Sequence, residues 1–452
     1  MLISRSGLAT VLVAALVTGC AGNPAVGTTP IATGTPIAET ASPAPTIALS
    51  SAGPTDSPHS SSAGLAAFTT PVPPGAGTPW TGIDWHKVAP DNPLAQVRSV
   101  LRWGGGFVAL GAPIPVGEAS RTPVWVSADG ATWHPLDANV FGPAAIVIGV
   151  GRTAGGIVAM TLQGGKNHCD PQDPAATGLV CWTLATPVQA WISSDGAGWT
   201  AHPGPDLGWV PVCDGCGIDV PVFAAGTPGL VIFNRAIADA PPPRSVQAAL
   251  SPDGITWEHL PAAGFPVGFS ISDLTGFGPG FIALGTTSGA QSQAVALSSQ
   301  DGRHWASRIL PTSGLGAQAG TVTIGTTVGA HGLIVEGMSN AGTSGPLLWW
   351  SSVLDGTWSL LQGFPPLGSW AALDGPVPDG TLLGDGERML AYRSGKTPAA
   401  WTSSGGRSWR TITISPTGPT NAEDWLQMPI LTPIGVLGTG DDGSTWFGAP
   451  LT

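Results

Sequence analysis

The chain has 452 residues, of which only 10% are charged, and its 28 acidic against 16 basic side chains leave a net charge of −12. With 66 Gly, 45 Pro and 19 Trp against a single Tyr, the composition suits many short strands and turns and speaks against a helical protein. The acidic balance removes the basic surface on which nucleic-acid binding depends.

At the start, Arg5 precedes an apolar run (8–17) and the tetrapeptide Val17-Thr18-Gly19-Cys20. That run is too short to cross a bilayer as a stable helix. The stretch resembles a bacterial lipoprotein signal, in which two small residues follow a small apolar one and precede a Cys. The resemblance implies that residues 1–20 are a signal peptide region and that Cys20 carries lipid as the mature N-terminus. An ordinary secretory signal with an incidental Cys is the alternative, and both lead out of the cytoplasm. The expected location is the cell membrane, lipid-anchored on the extracytoplasmic side. Residues 21–79 are Thr, Pro, Ala, Ser and Gly with almost no charge and no apolar period. They cannot bury enough surface to offset their conformational entropy, so a disordered tether is expected.

From residue 80 a four-part phrase recurs. Its second part is an apolar run beginning near a Gly: GGFVALG (105–111), GGIVAM (155–160), GLVIF (229–233), GFIALG (280–285), GLIVEG (332–337), RMLAY (388–392) and GVLGTG (435–440). A third run follows, such as PVWVS (123–127), QAWIS (189–193) or AAWTS (399–403), and then a box. The box reads SADGATW (127–133), SSDGAGW (193–199), SPDGITW (251–257) and SQDGRHW (299–305). Four short antiparallel strands per unit are predicted, with the box as the turn between the third and fourth. The Asp can accept backbone N–H groups there, and the Gly can take positive φ. The Trp is expected to start the fourth strand and pack on a neighbouring sheet.

Repeats of this length with four strands each predict an all-β fold, a seven-bladed β-propeller of four-stranded antiparallel blades over residues 80–452. Two boxes are altered, SSVLDGTW (351–358) and SSGGRSW (403–409), and both keep Trp. The apparent last copy, GDDGSTW (440–446), aligns differently: Trp446 matches Trp125, Trp191 and Trp401 of third strands. The last blade then lacks a fourth strand, which GIDWHKV (82–88) can supply. An N-terminal strand completing the last blade is therefore expected.

The repeats resemble the Asp-box family, also called BNR repeats, of sialidases, sortilin-type receptors and bacterial secreted propellers. The family box has one more residue between Asp and Gly than this chain. The resemblance implies that Ser127, Asp129, Trp133, Ser193, Asp195, Trp199, Ser251, Asp253, Trp257, Ser299, Asp301 and Trp305 are structural and lie away from a ligand. A sialidase-like glycoside hydrolase would need a Tyr nucleophile and an arginine cluster. The candidates are Tyr392, Arg393 and Arg235, but the Arg-Ile-Pro motif of that family is missing and its blade number is six. A packed strand residue is the other reading of Tyr392.

The long variable segments (111–122, 161–188, 201–219, 234–245, 363–380, 416–425) all fall on the rim opposite the boxes. Loops on a rigid scaffold are a common home for binding residues. Trp182, Trp209, Trp370 and Trp425 on that rim could stack on sugars or anchor a protein. Four Cys also lie there, and two disulfides, Cys169 with Cys181 and Cys213 with Cys216, are expected in an oxidising compartment, cross-loop pairings being open. A zinc site from His168, Cys169, Cys181, Cys213 and Cys216 is the sharper alternative. The reading that follows is a monomeric, membrane-tethered propeller without cofactor, binding an extracellular protein or glycan.

Overall fold

The computed structural model describes residues 79–89, 91–103, 106–116, 119–143, 145–163, 188–207, 221–234, 247–260, 265–287, 292–312, 320–339, 347–354, 357–361, 380–393, 398–415, 427–440 and 444–452. They are almost entirely β, the one helical turn among them being a four-residue 3₁₀ segment, Pro93–Gln96. The chain enters on β1 (Gly82–Lys87) and then makes five four-stranded antiparallel sheets in succession. The first is β2 (Val97–Trp103), β3 (Gly106–Gly111), β6 (Val124–Ser127) and β7 (His134–Pro135), with a small hairpin of β4 (Ile114–Val116) and β5 (Ala119–Arg121) inserted after β3. The second is β8 (Ala145–Thr153), β9 (Gly156–Gln163), β10 (Gln189–Ser193) and β11 (Thr200–Pro203). The third is β12 (Val222–Gly226), β13 (Gly229–Phe233), β14 (Ala248–Ser251) and β15 (Glu258–Leu260). The fourth is β16 (Phe269–Phe277), β17 (Gly280–Thr287), β18 (Gln293–Ser299) and β19 (Ala306–Ile309). The fifth is β20 (Thr321–Gly329), β21 (Gly332–Ser339), β22 (Leu347–Ser351) and β23 (Ser359–Leu360).

The remaining strands form one eight-stranded sheet. β24 (Gly380–Gly384), β25 (Met389–Arg393), β26 (Ala399–Ser403) and β27 (Arg410–Ile414) make one meander, and β28 (Gln427–Thr432), β29 (Gly435–Thr439) and β30 (Thr445–Leu451) make another. β1 lies between them. It runs antiparallel to β30 from Gly82↔Leu451 to Lys87↔Trp446, and touches β27 in parallel at Gly82↔Thr413 and Ile83↔Ile414. The N-terminal strand therefore occupies the fourth position beside β30, which would otherwise present an unpaired edge.

Burial explains the sequence pattern. β13 is buried at every position and β19 is exposed at every position. Second strands sit between two neighbouring sheets and so read as unbroken apolar runs, whereas in the five separate sheets the fourth strands lie at the outer edge and tolerate polar residues. Alternation then divides each apolar run between two neighbours: Val231 and Phe233 pack toward Phe281 and Trp305, while Leu230 and Ile232 pack toward Val158 and Met160. The described core is accordingly a series of clusters, each shared by adjacent sheets. One of them joins Leu437 of β29 to Phe107 and Ala109 of β3, linking the last meander to the first sheet. First strands follow the same cycle, with β2 against β8, then β12, β16, β20, β24 and β28, and β28 back against β2. This all-β architecture of four-stranded sheets is consistent with a propeller.

Candidate functional site

The repeated box is built identically in four sheets. In the first, Ser127 Oγ donates to Asp129 Oδ1 (3.0 Å) and accepts from Gly130 N (2.8 Å). Asp129 Oδ1 also accepts from Ala131 N and Thr132 N, both at 2.8 Å, and Trp133 Nε1 donates back to Gly130 O (3.2 Å). The same set recurs at Ser193, Asp195 and Trp199, at Ser251, Asp253 and Trp257, and at Ser299, Asp301 and Trp305. These donors hold the carboxyls below their ordinary range: chiefly the Thr132 N–H for Asp129, the Thr256 N–H for Asp253, and the backbone and ring of His304 for Asp301. At Asp195 partial burial pushes upward, and the N–H groups of Gly198 and Ala197 outweigh it.

Each box also abuts the sheet before it. Gly130 has φ +76°, and a Cβ there would lie 2.5 Å from Ile434 Cγ2 in the β28–β29 turn. A Cβ on Gly196 would meet Trp103, on Gly254 Val158, on Gly302 Leu250, and on Gly406 Ile334, always in the preceding sheet. Turn and joint are one structure. The Trp lies just before the fourth strand rather than within it, a correction to the expected position, because its Nε1 is tied back to the turn carbonyl. In the fifth sheet the Ser351 hydroxyl engages Val353 instead of a carboxylate, and the buried Leu354 side chain makes the contact with the preceding sheet. In SSGGRSW, Ser403 and Trp409 keep their turn bonds to Gly406 without any carboxylate.

The first strands enclose a cavity of about 980 Å³. Its polar wall includes Arg98, Arg152, Thr326, Thr327 and Asp385. Asp385, the one carboxylate among the described lining residues, accepts from Glu387 N (2.9 Å) and Arg388 N (2.7 Å) and pairs with Arg388 Nε at 3.1 Å. Burial nevertheless pushes its carboxyl upward. Arg388 in turn covers the ring of Trp80 at 4.7 Å, and Arg410 donates to Trp80 O. Neither Arg98 nor Arg152 is in an ion pair among the described residues. The cavity thus offers the guanidiniums of Arg98 and Arg152, while the Thr326 and Thr327 hydroxyls and the Asp385 carboxylate are committed to the wall.

Tyr392 is 2% exposed, on β25, edge-to-face with Trp85 at 5.7 Å and packed with Leu383, Leu390 and Val436. Burial raises its phenol above the ordinary range. Arg393 follows on the same strand with its guanidinium 5.7 Å from the Trp401 ring. Cys20, His168, Cys169, Cys181, Cys213, Cys216, Arg235, the four rim Trp and most of the long segments lie outside the described residues. Among the described residues no group of three or more His, Cys, Asp or Glu is placed to hold a metal, and no helix is long and apolar enough to cross a membrane.

No family model matches the chain, and no curated protein matches it. Among solved structures it is similar to a protein of unknown function from Dyadobacter fermentans DSM 18053, at 16% identity and a TM-score of 0.37, over 69% of this chain and 92% of that one. It is also similar to a glycosyl hydrolase from Bacteroides ovatus, at 13% identity and a TM-score of 0.29, over 60% and 85% of the two chains. Trypanosoma rangeli sialidase in complex with the inhibitor DANA is similar at 11% identity and a TM-score of 0.34, over 78% and 54%. Likenesses at this level assign neither family nor activity.

Proposed function

We propose that the chain is a seven-bladed β-propeller, lipid-anchored through Cys20 on the extracytoplasmic side of the cell membrane, that acts as a binding module for an extracellular protein or glycan. In this reading residues 1–20 are the signal, 21–79 the tether and 80–452 the propeller, with β1 completing the seventh blade. Ligand contact is made by the rim opposite the boxes and by the channel that opens there, and the Cys pairs 169–181 and 213–216 brace the rim loops as disulfides.

The observation that carries this reading is the channel wall. Its guanidiniums, Arg98 and Arg152, pair with no carboxylate among the described residues and are suited to holding a ligand, and its carboxylate is already engaged by Arg388. The boxes, the other repeated polar constellation, have their Asp, Ser and Trp groups consumed by the turn. The sialidase-like hydrolase alternative is weakened by the burial of Tyr392, the only Tyr in the chain, since a nucleophile must reach substrate.

The test is a panel of chromogenic sialosides and other glycosides run with the full chain and with Tyr392→Phe, alongside binding to an immobilised glycan array. Array binding without turnover is expected. Turnover that disappears in Tyr392→Phe would overturn the reading in favour of the hydrolase. The anchor is checked separately: Cys20→Ser should move the protein from the membrane fraction to the soluble fraction.

A further inference from the structure

The junctions between neighbouring first strands are filled in different ways. Between β8 and β12 the Phe223 ring occupies the space that a Cβ on Gly149 would need, and Ala225 Cβ the space that one on Gly151 would need. Between β16 and β20 the hydroxyls of Ser272 and Thr323 lie 2.7 Å apart, and Thr326 Oγ1 donates to Asp273 Oδ2 at 2.5 Å. Between β20 and β24, Thr327 Oγ1 donates to Leu382 O at 3.4 Å.

At the β2–β8 junction the only aromatic of β2, Trp103, packs at the far end against Gly196 of the second sheet, and between the two strands themselves there is neither a ring in the crevice lining nor a side-chain hydrogen bond among the described residues. Thr122 links the two sheets at one end only, donating from N to Ala145 O and accepting at Oγ1 from Val147 N, both at 3.0 Å. Below it lies a crevice of about 380 Å³ walled by Val100, Leu101, Leu110, Val147 and Val150, apolar side chains that are all only partly buried. The crevice shares Arg98, Ser99, Val100, Leu101 and Val150 with the channel and therefore opens into it. Arg98 stands at this threshold. It is the extra residue of a β-bulge between Val97 and Ser99, a device that re-aims a side chain, and among the described residues its guanidinium bonds only its own neighbour's carbonyl, Val97 O, at 3.4 Å.

We infer that this crevice binds a linear aliphatic carboxylate, with the chain between β2 and β8 and the head group on Arg98. This rests on the binding-module reading and names a ligand class for its channel. A half-exposed apolar slot gains from covering by methylenes, and its volume lies in the range of small-ligand sites. A guanidinium without a carboxylate partner among the described residues is the complement of an anionic head. The fork geometry of Arg suits a carboxylate in particular.

The experiment is calorimetric titration of the full chain carrying Cys20→Ser, without detergent, with sodium butanoate, hexanoate and octanoate. Affinity should rise about fourfold for each added methylene until the slot is full. Arg98→Gln should weaken octanoate by at least about tenfold, the loss expected for a charge-assisted contact. Arg308→Gln on the outer strand β19 should leave binding unchanged. Val150→Phe, which fills the slot from the opposite wall, should weaken octanoate more than butanoate, and thermal melting checks that each variant is folded. Octanoate that does not bind, or that binds no more tightly than 1-octanol or with equal affinity to Arg98→Gln, overturns the inference. Failure here with glycan-array binding intact would remove this ligand and leave the binding module standing. Tyr392-dependent glycoside turnover would do the reverse.

Discussion

The sharpest test of the boxes as joints compares two glycines. Gly130 (φ +76°) and Gly278 (φ +57°) both occupy the left-handed region, so Ala at either costs about 1 to 2 kcal/mol from the backbone alone. At Gly278 nothing lies within 4 Å of the added Cβ. At Gly130 the Cβ falls 2.5 Å from Ile434 Cγ2 and 3.3 Å from Phe107 Cε2. Ile434 is β-branched and stiff at χ1, so it cannot simply swing aside, and overpacking of this kind costs a further 1 to 3 kcal/mol, roughly. Gly130→Ala should therefore lose about 2 to 5 kcal/mol against about 1 to 2 for Gly278→Ala, read from urea unfolding midpoints with unchanged slope. Adding Ile434→Ala to Gly130→Ala should restore part of the loss, a coupling of about 1 kcal/mol between residues more than 300 positions apart. Equal losses at the two glycines, with additive behaviour in the double variant, would refute the joint and leave only a turn.

Three further outcomes follow. Deleting residues 80–90 removes β1, Trp80 and Trp85 together and should sharply lower the melting temperature, while an unchanged melting curve would show that β30 does not depend on this partner. Glu336, accepting from Thr327 at 3.4 Å, is pushed up to about 7 by burial, above its unfolded value. Its contribution is therefore full below about pH 4 and is lost as pH rises through 7, and Glu336→Gln should flatten the stability profile between pH 5 and 8, approximately. The box carboxyls are displaced the other way, so Asp253→Asn should cost on the order of 1 kcal/mol at neutral pH and progressively less as pH falls below about 4, measured by denaturant titration across the acid limb.

The repeat was legible because each strand leaves its own mark: an unbroken apolar second strand, a Trp-bearing third strand and a Ser-Asp-Gly turn. The same marks exposed the misfit at Trp446, and with it the place of β1 beside β30. What the sequence could not show is how neighbouring units meet. Nothing in SADGATW distinguishes a glycine that only turns the chain from one pressed against Ile434. In SSVLDGTW the extra residue signals an altered turn but not that Leu354 takes over the contact. Arg98 in QVRSVLRW reads as one polar residue of an alternating strand, since a bulge has no residue-type signature there. The network of Trp80, Asp385, Arg388 and Arg410 joins residues some 330 positions apart and was likewise invisible.

The place of β1 also orders events in time. Gly82 is made well before its partner Leu451, the Thr81-to-Leu451 pairing spanning 370 positions. Each of the first five sheets can form from local hairpins as its strands appear, but the eight-stranded one must wait for β30 to join β1. Until then β30 exposes an unpaired edge while Trp80, Ile83 and Trp85 remain without their core. That wait makes the closing step, rather than the formation of the individual sheets, the stage most open to aggregation and proteolysis.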